Sequence, residues 1–326
     1  MAFCTKLTEL LQIKHPILLA PMGFISGGAL ASAVTEAGGL GLIGLGYGNQ
    51  EWLDREYLVA GNSRTGCGFI TWSLDRQPHL LDRALEHRPA AVMLSFGDPK
   101  PYAAPIKAAG AALICQVQAL SEAEKAVEIG ADIVVAQGTE AGGHGSIRST
   151  LPLVPAVADI VEQKNKDVVV VAAGGIADGR GLAAALTLGA HGVLLGTRFL
   201  AADEALTSSK IKAKVVAASG DHTIRTRIFD IARRLDWPQA YTGRALQNAF
   251  SSQWHGREGA LEKNLDAEAV RYAKATEADD IDTRVIFAGE AIDLIHKAPP
   301  AREIVEEIMR DAEKALDRVT HMQFPP

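Results

Sequence analysis

Residues 168–200, VVVVAAGGIADGRGLAAALTLGAHGVLLGTRFL, decide the fold, because they hold two junctions where an apolar strand runs into a loop of small residues. The run 168–173, four valines and two alanines, is too short and too β-branched for a helix and reads as a buried parallel strand. It ends in Gly174-Gly175. A helix is expected from an N-cap at Asp178 to Leu188, where Gly189 stops it. A second strand over 192–195 ends in Gly196-Thr197 and again gives way to a helix. Adjacent strands that finish in glycine bring bare backbone N–H groups and helix starts together, which favours a phosphate. In a (β/α)8 barrel that site commonly follows the seventh and eighth strands.

Working outward, strands are expected at 15–20, 40–45, 67–72, 91–95, 111–117 and 132–136, with helices at 29–37, 50–60, 78–87, 99–109, 121–129 and 153–163. Ser121 and Glu124 stand in capping-box spacing, and residues 137–150 read as a long loop. Eight alternations of strand and helix with short connections predict an α/β fold, a (β/α)8 TIM barrel. A doubly wound sheet usually has fewer strands and a glycine fingerprint after the first; here the glycine-rich turns come last. Beyond residue 204 the chain is more polar, with helical patches at 224–235 and 261–275. The expected organisation is a barrel over 1–204, a mainly helical insertion over 205–280 covering the barrel mouth, and a segment 281–326 returning to the barrel. Glu303, Glu306, Glu307, Lys314 and Arg318 read as one solvated helix face.

With 326 residues, 48% hydrophobic and 22% charged, the chain has ample material for a core, and its net charge of −6 argues against nucleic acid or a membrane surface as a partner. No apolar stretch reaches membrane-spanning length, and the first residues lack the features of a secretory signal. Three scattered cysteines, Cys4, Cys67 and Cys115, suit reduced thiols and a cytoplasmic setting. A homo-oligomer is compatible with the sequence.

Active sites of such barrels lie at the C-terminal ends of the strands. The candidates there are Pro21, Met22 and Gly23, Thr71 and Trp72, Ser95 and Phe96, Gln116 and Gln118, the loop 137–144, and the two glycine junctions. No carboxylates and histidine stand in metal-ligand spacing, so no metal is required. In the loop after the sixth strand, Gly142, Gly143 and Gly145 flank His144, presenting an imidazole able to act as a base near neutral pH. Glu140 is expected to fix this loop through backbone N–H groups. Gln116 and Gln118 alternate along one strand, and such amides suit a flat polar ring. Arg198 either contacts phosphate or caps its own segment.

On HPILLAPMG, EAGGHG, AAGGIADGRGLAAALTLGAHGVLLGTRFL and the weaker FAGEAIDLI, the chain resembles the nitronate monooxygenases, flavin enzymes of the barrel class. That resemblance implies FMN, with its phosphate at Gly174, Gly175, Gly196 and Thr197, its ring near Met22, Gly23 and Gln116, and Gly142 and Gly143 alongside. It implies His144 as the catalytic histidine, removing the proton next to a nitro group or steering a nitronate, with dioxygen as co-substrate. Two departures touch the pocket: the third strand ends Phe69-Ile70-Thr71-Trp72, where many relatives carry asparagine, and Gln116 stands where some carry lysine. The resulting expectation is an FMN-dependent oxidoreductase acting on alkyl nitronates. The alternative is an NAD(P)H-dependent FMN reductase acting on a quinone or an enoyl thioester. Without the resemblance, the phosphate site equally suits a flavin-free lyase or isomerase.

Overall fold

The computed structural model describes residues 3–321. Eight parallel strands form the frame: β1 (Ile17–Leu19), β2 (Leu42–Gly44), β3 (Gly66–Ile70), β4 (Ala91–Ser95), β5 (Ala112–Val117), β6 (Ile133–Gln137) and, after a short β7 (Gly143–Gly145) outside the frame, β8 (Val169–Ala173) and β9 (Val193–Leu195). They pair in the order β1-β9-β8-β6-β5-β4-β3-β2, and a parallel bridge between Leu18 and Leu40 joins the two ends, so the sheet is a TIM-type barrel. The junctions of residues 168–200 are thus neighbours, since Ala172 and Ala173 of β8 lie beside Val193 and Leu194 of β9.

Strand periodicity sorts the apolar side chains. Val169, Val171 and Ala173 point into the barrel with Met93, Ile114, Ile133 and Val135, while Val170 and Ala172 face the surrounding helices with Val134, Leu113 and Val193. The helix Lys6–Leu11 closes the N-terminal end by sending Leu7 and Leu11 into the inner cluster. At the opposite end the barrel stays open. The helix Gly179–Thr187 starts at Asp178, whose carboxylate accepts from the N–H groups of Arg180 (2.9 Å) and Gly181 (3.2 Å), a cap that contributes about 1 kcal/mol. Its first residue has to be glycine: a Cβ on Gly179 would sit 2.1 Å from the Ala312 nitrogen of the helix Ala301–Thr320, which packs across it.

Four local expectations are corrected. β3 ends at Ile70, and Thr71–Leu74 turns into a helix, the Asp75 N–H donating to the Thr71 carbonyl at 2.9 Å. The capping box lies earlier than Ser121 and Glu124: Glu122 accepts from the amides of Gln118 (2.6 Å) and Ala119 (3.2 Å), so the helix begins at Leu120. Residues 224–235 are not one helix, since Thr223–Thr226 forms β10, antiparallel to β11 (Thr242–Leu246), and only Ile228–Ala232 is helical. The loop 137–150 is not wholly irregular either, because β11 also pairs with β7, setting Gly243 opposite His144. These last two share a cause. Short β-branched or glycine-rich runs become strands when a distant partner offers its edge, whatever their local pattern.

Candidate active site

All ten residues singled out for the site, Met22, Gly23, Gln116, Gly142, Gly143, His144, Gly174, Gly175, Gly196 and Thr197, line one cavity at the C-terminal ends of the barrel strands. Its floor between β8 and β9 is bare backbone. Gly174 and Gly175 adopt φ of +100° and +69°, which side-chain-bearing residues rarely take. A Cβ on Gly174 would also fall 2.9 Å from the Gly138 carbonyl oxygen. The N–H groups of Gly174, Gly175 and Ile176 have no hydrogen-bond partner among the described residues. Thr197 opens a short 3-10 helix, and its Oγ1 accepts from the Gly289 N–H at 3.0 Å, which leaves its own hydrogen for another acceptor. Unpaired donors of this kind suit a phosphate.

Toward the ring-sized part of the cavity, the amides of Gln116 and Gln118 both donate to Gln137 Oε1, at 3.1 and 2.8 Å. Gln118 therefore braces the site from behind, while Gln116 and Gln137 face the cavity. Glu140 fixes the loop as expected, accepting from the Thr150 N–H (2.9 Å) and hydroxyl (2.7 Å). Phe96, also on the cavity wall, holds φ +65°, a strained setting for an aromatic residue. Thr71 and Trp72 do not line the cavity. Trp72 packs edge-on to Trp237, which does.

His144 is buried, and its Nε2 lies 2.9 Å from Asp230 Oδ2 on the helix Ile228–Ala232. The Asp230 oxygen accepts the Nε2 hydrogen, which leaves Nδ1 as the basic nitrogen, without a partner among the described residues. The imidazole is stacked on the Trp237 indole at 3.4 Å with an interplanar angle of 4°, and Phe287 lies at 5.2 Å. Burial pushes the His144 pKa below the ordinary histidine value, while Asp230 pulls the other way through its hydrogen bond and charge. The neutral, proton-accepting form thus prevails at pH 7.

Asp230, Arg233 and Trp237 come from the segment between β10 and β11, and none was anticipated as a site residue. A signal existed for one of them: Asp230 is the single acid within the apolar run Ile228–Ala232, and an acid on a buried stripe calls for a partner. Arg225 ties the same segment to the histidine loop, donating to Thr139 Oγ1 (3.0 Å), the Gly145 carbonyl (3.1 Å) and the Thr242 carbonyl (2.5 Å). Burial lowers its pKa to about 10.

Fold and site together define a TIM-barrel protein whose mouth cavity is floored by unpaired backbone N–H donors and walled by a buried histidine hydrogen-bonded to a carboxylate. The nitronate monooxygenase family profile matches residues 4–58 and 71–311. A nitronate monooxygenase from Neurospora crassa is 34% identical, over 94% of this chain and 91% of its own. Among solved structures, FabK from Thermotoga maritima is similar with a TM-score of 0.84 and 30% identity, covering 98% of this chain and 99% of that one. The nitroalkane oxidase from Streptomyces ansochromogenes gives a TM-score of 0.79 and 27% identity over 97% and 100%. The chain belongs to the nitronate monooxygenase family and is an oxidoreductase. No helix among the described residues is long and apolar enough to cross a membrane.

Proposed function

We propose that this protein is an FMN-dependent oxidoreductase that oxidises alkyl nitronates with dioxygen. The observation that carries the reading is the convergence of a proton-accepting His144 and an empty-handed row of glycine amides on one cavity. The residues present fit FMN: Gly174, Gly175 and Ile176 amides with the Thr197 hydroxyl for the phosphate, and Met22, Gly23, Gln116 and Gln137 for the ring. Bound there, FMN supplies the electron acceptor and the reactivity toward oxygen.

The chain's own part is orientation and proton transfer. His144 Nδ1 accepts the proton from the carbon beside a nitro group, or donates toward a nitronate once protonated. Asp230 holds the imidazole in the tautomer this needs. Trp237, Phe96 and Phe287 supply an apolar wall that limits water around the reacting carbon. Residues 205–280 act as the cover that brings Asp230, Arg233 and Trp237 to the mouth.

The test is anaerobic reduction of the flavin-loaded protein. Bleaching of the visible flavin spectrum by propionate 3-nitronate, with none by NADH or NADPH, is the expected result. Rapid bleaching by a nicotinamide replaces this reading with the reductase acting on a quinone or enoyl thioester. A colourless protein that FMN does not reconstitute removes both.

A further inference from the structure

A second cavity lies outside the barrel, between the start of the helix Gly179–Thr187, the helix Ala301–Thr320 and residues 294–297. It shares a wall with the first: Ile176 and Thr197 face the barrel cavity, whereas their neighbours Ala177 and Arg198 face this one. Arg198, left between phosphate contact and cap by the sequence, is thus turned away from the barrel mouth.

The lining is strongly cationic. Arg180, Arg198, Lys297, Arg310, Lys314 and Arg318 face the cavity, with His296 beside them, against the carboxylates Asp178, Glu307 and Asp311. Glu303 answers Lys297 from outside. Arg310, Lys314 and Arg318 stand four residues apart on one stripe of the C-terminal helix, where neighbouring like charges cost about 0.2–0.5 kcal/mol per pair. Arg310 and Lys314 find Asp311 at 3.7 and 3.2 Å, while Arg318 has no ion pair among the described residues. The stripe is a solvated face on which Arg318 is left unpaired, and across the cavity Arg180 holds Asp178 at 2.5 Å.

Arg198 is the second, independent sign of a ligand. It is 5% exposed, its closest carboxylate is Glu307 at 3.6 Å, and its Nη1 is buried without any hydrogen-bond partner. Leaving a charged donor buried and unfilled is unfavourable, and a planar guanidinium fork is suited to phosphate oxygens. We propose that this cavity binds a diphosphate-sized, phosphate-bearing anion, with Arg198 at its base and Arg180, Lys314 and Arg318 around its rim. The site is separate from the flavin cradle and does not rest on the nitronate reading.

The experiment is calorimetric titration of the purified protein, with FMN in excess and ionic strength fixed, using pyrophosphate, ADP and sulfate as probes. One equivalent of pyrophosphate is expected to bind saturably, and the affinity to fall at least about tenfold in Arg318→Gln and in Arg180→Gln. Both replace exposed side chains, so the fold is retained. ADP binding more tightly than pyrophosphate identifies a nucleotide as the source of the phosphate, and the reverse identifies a free phosphate compound. Absence of saturable binding with FMN present, sulfate binding as well as pyrophosphate, or affinity unchanged in both variants overturns the proposal.

Discussion

Replacing Asp230 with asparagine tests the central pair with little change of volume. In the parent protein both partners are buried, and the 2.9 Å contact from Nε2 to Oδ2 assigns the basic lone pair to Nδ1. An asparagine that offers its oxygen keeps that tautomer but exchanges a charge-assisted hydrogen bond of about 1.5–3 kcal/mol for a neutral one of about 1 kcal/mol. An asparagine that offers its NH2 group drives the proton onto Nδ1 and removes the base, forfeiting the roughly 10²–10⁴-fold that general-base catalysis supplies. The turnover of a neutral nitroalkane should therefore fall by about tenfold at the least. A preformed nitronate needs no proton removed, so its oxidation should fall much less. The pH profile gives a second reading. His144 must be neutral to accept a proton, so activity on the neutral substrate is lost as pH falls through its pKa, which burial already holds below the ordinary value. Asp230 raises that pKa, so its removal moves the acidic limb to still lower pH. The assay is anaerobic flavin reduction by nitroethane and by ethylnitronate across the pH range, with flavin content measured alongside. Equal losses on the two substrates, or an acidic limb displaced upward, refute the reasoning.

Other substitutions separate cradle, loop and thiols. Gly175→Ala places a Cβ at φ +69° and 3.2 Å from Glu140 Cβ; the left-handed conformation alone costs about 1–2 kcal/mol, so FMN retention after dialysis should drop while secondary structure by circular dichroism stays unchanged. Glu140→Gln weakens two bonds to Thr150 and is expected to lower the thermal midpoint by a few degrees, an amount corresponding to about 1–2 kcal/mol. His144→Asn should keep flavin content and lose most turnover of neutral nitroalkanes; unchanged turnover removes His144 as the base. Of the three cysteines, Cys4 is exposed while Cys67 and Cys115 are buried with pKa values pushed up to about 12 by burial, so a thiol reagent should modify one thiol rapidly in the native protein, and a second fast thiol contradicts the packing.

The barrel was legible because its signals are local. Buried parallel strands announce themselves as short β-branched runs such as Val169–Ala173, and the end of that strand as a pair of glycines at positive φ. Knowing which strand ends form the mouth then collected His144 and the cradle glycines without any three-dimensional information. What stayed hidden was whatever depends on distant pairing. Asp230 meets His144 across 86 residues, and β7 is a three-residue Gly-His-Gly strand with no periodicity to detect. The aromatic stack of Trp237 on His144 is likewise a product of where β10 and β11 return the chain, which no spacing rule within the segment encodes.

The ladder from β11 to β7 has a consequence for the order in which the molecule becomes competent. Residues 143–145 come early in the chain, yet the strand that pairs with them lies at Thr242–Leu246 and the anchoring carboxylate at Asp230. Backbone amides of residues 143–145 should exchange hydrogen only as slowly as the late-arriving segment stays docked, which makes one local opening the common control of both histidine placement and access to the cavity.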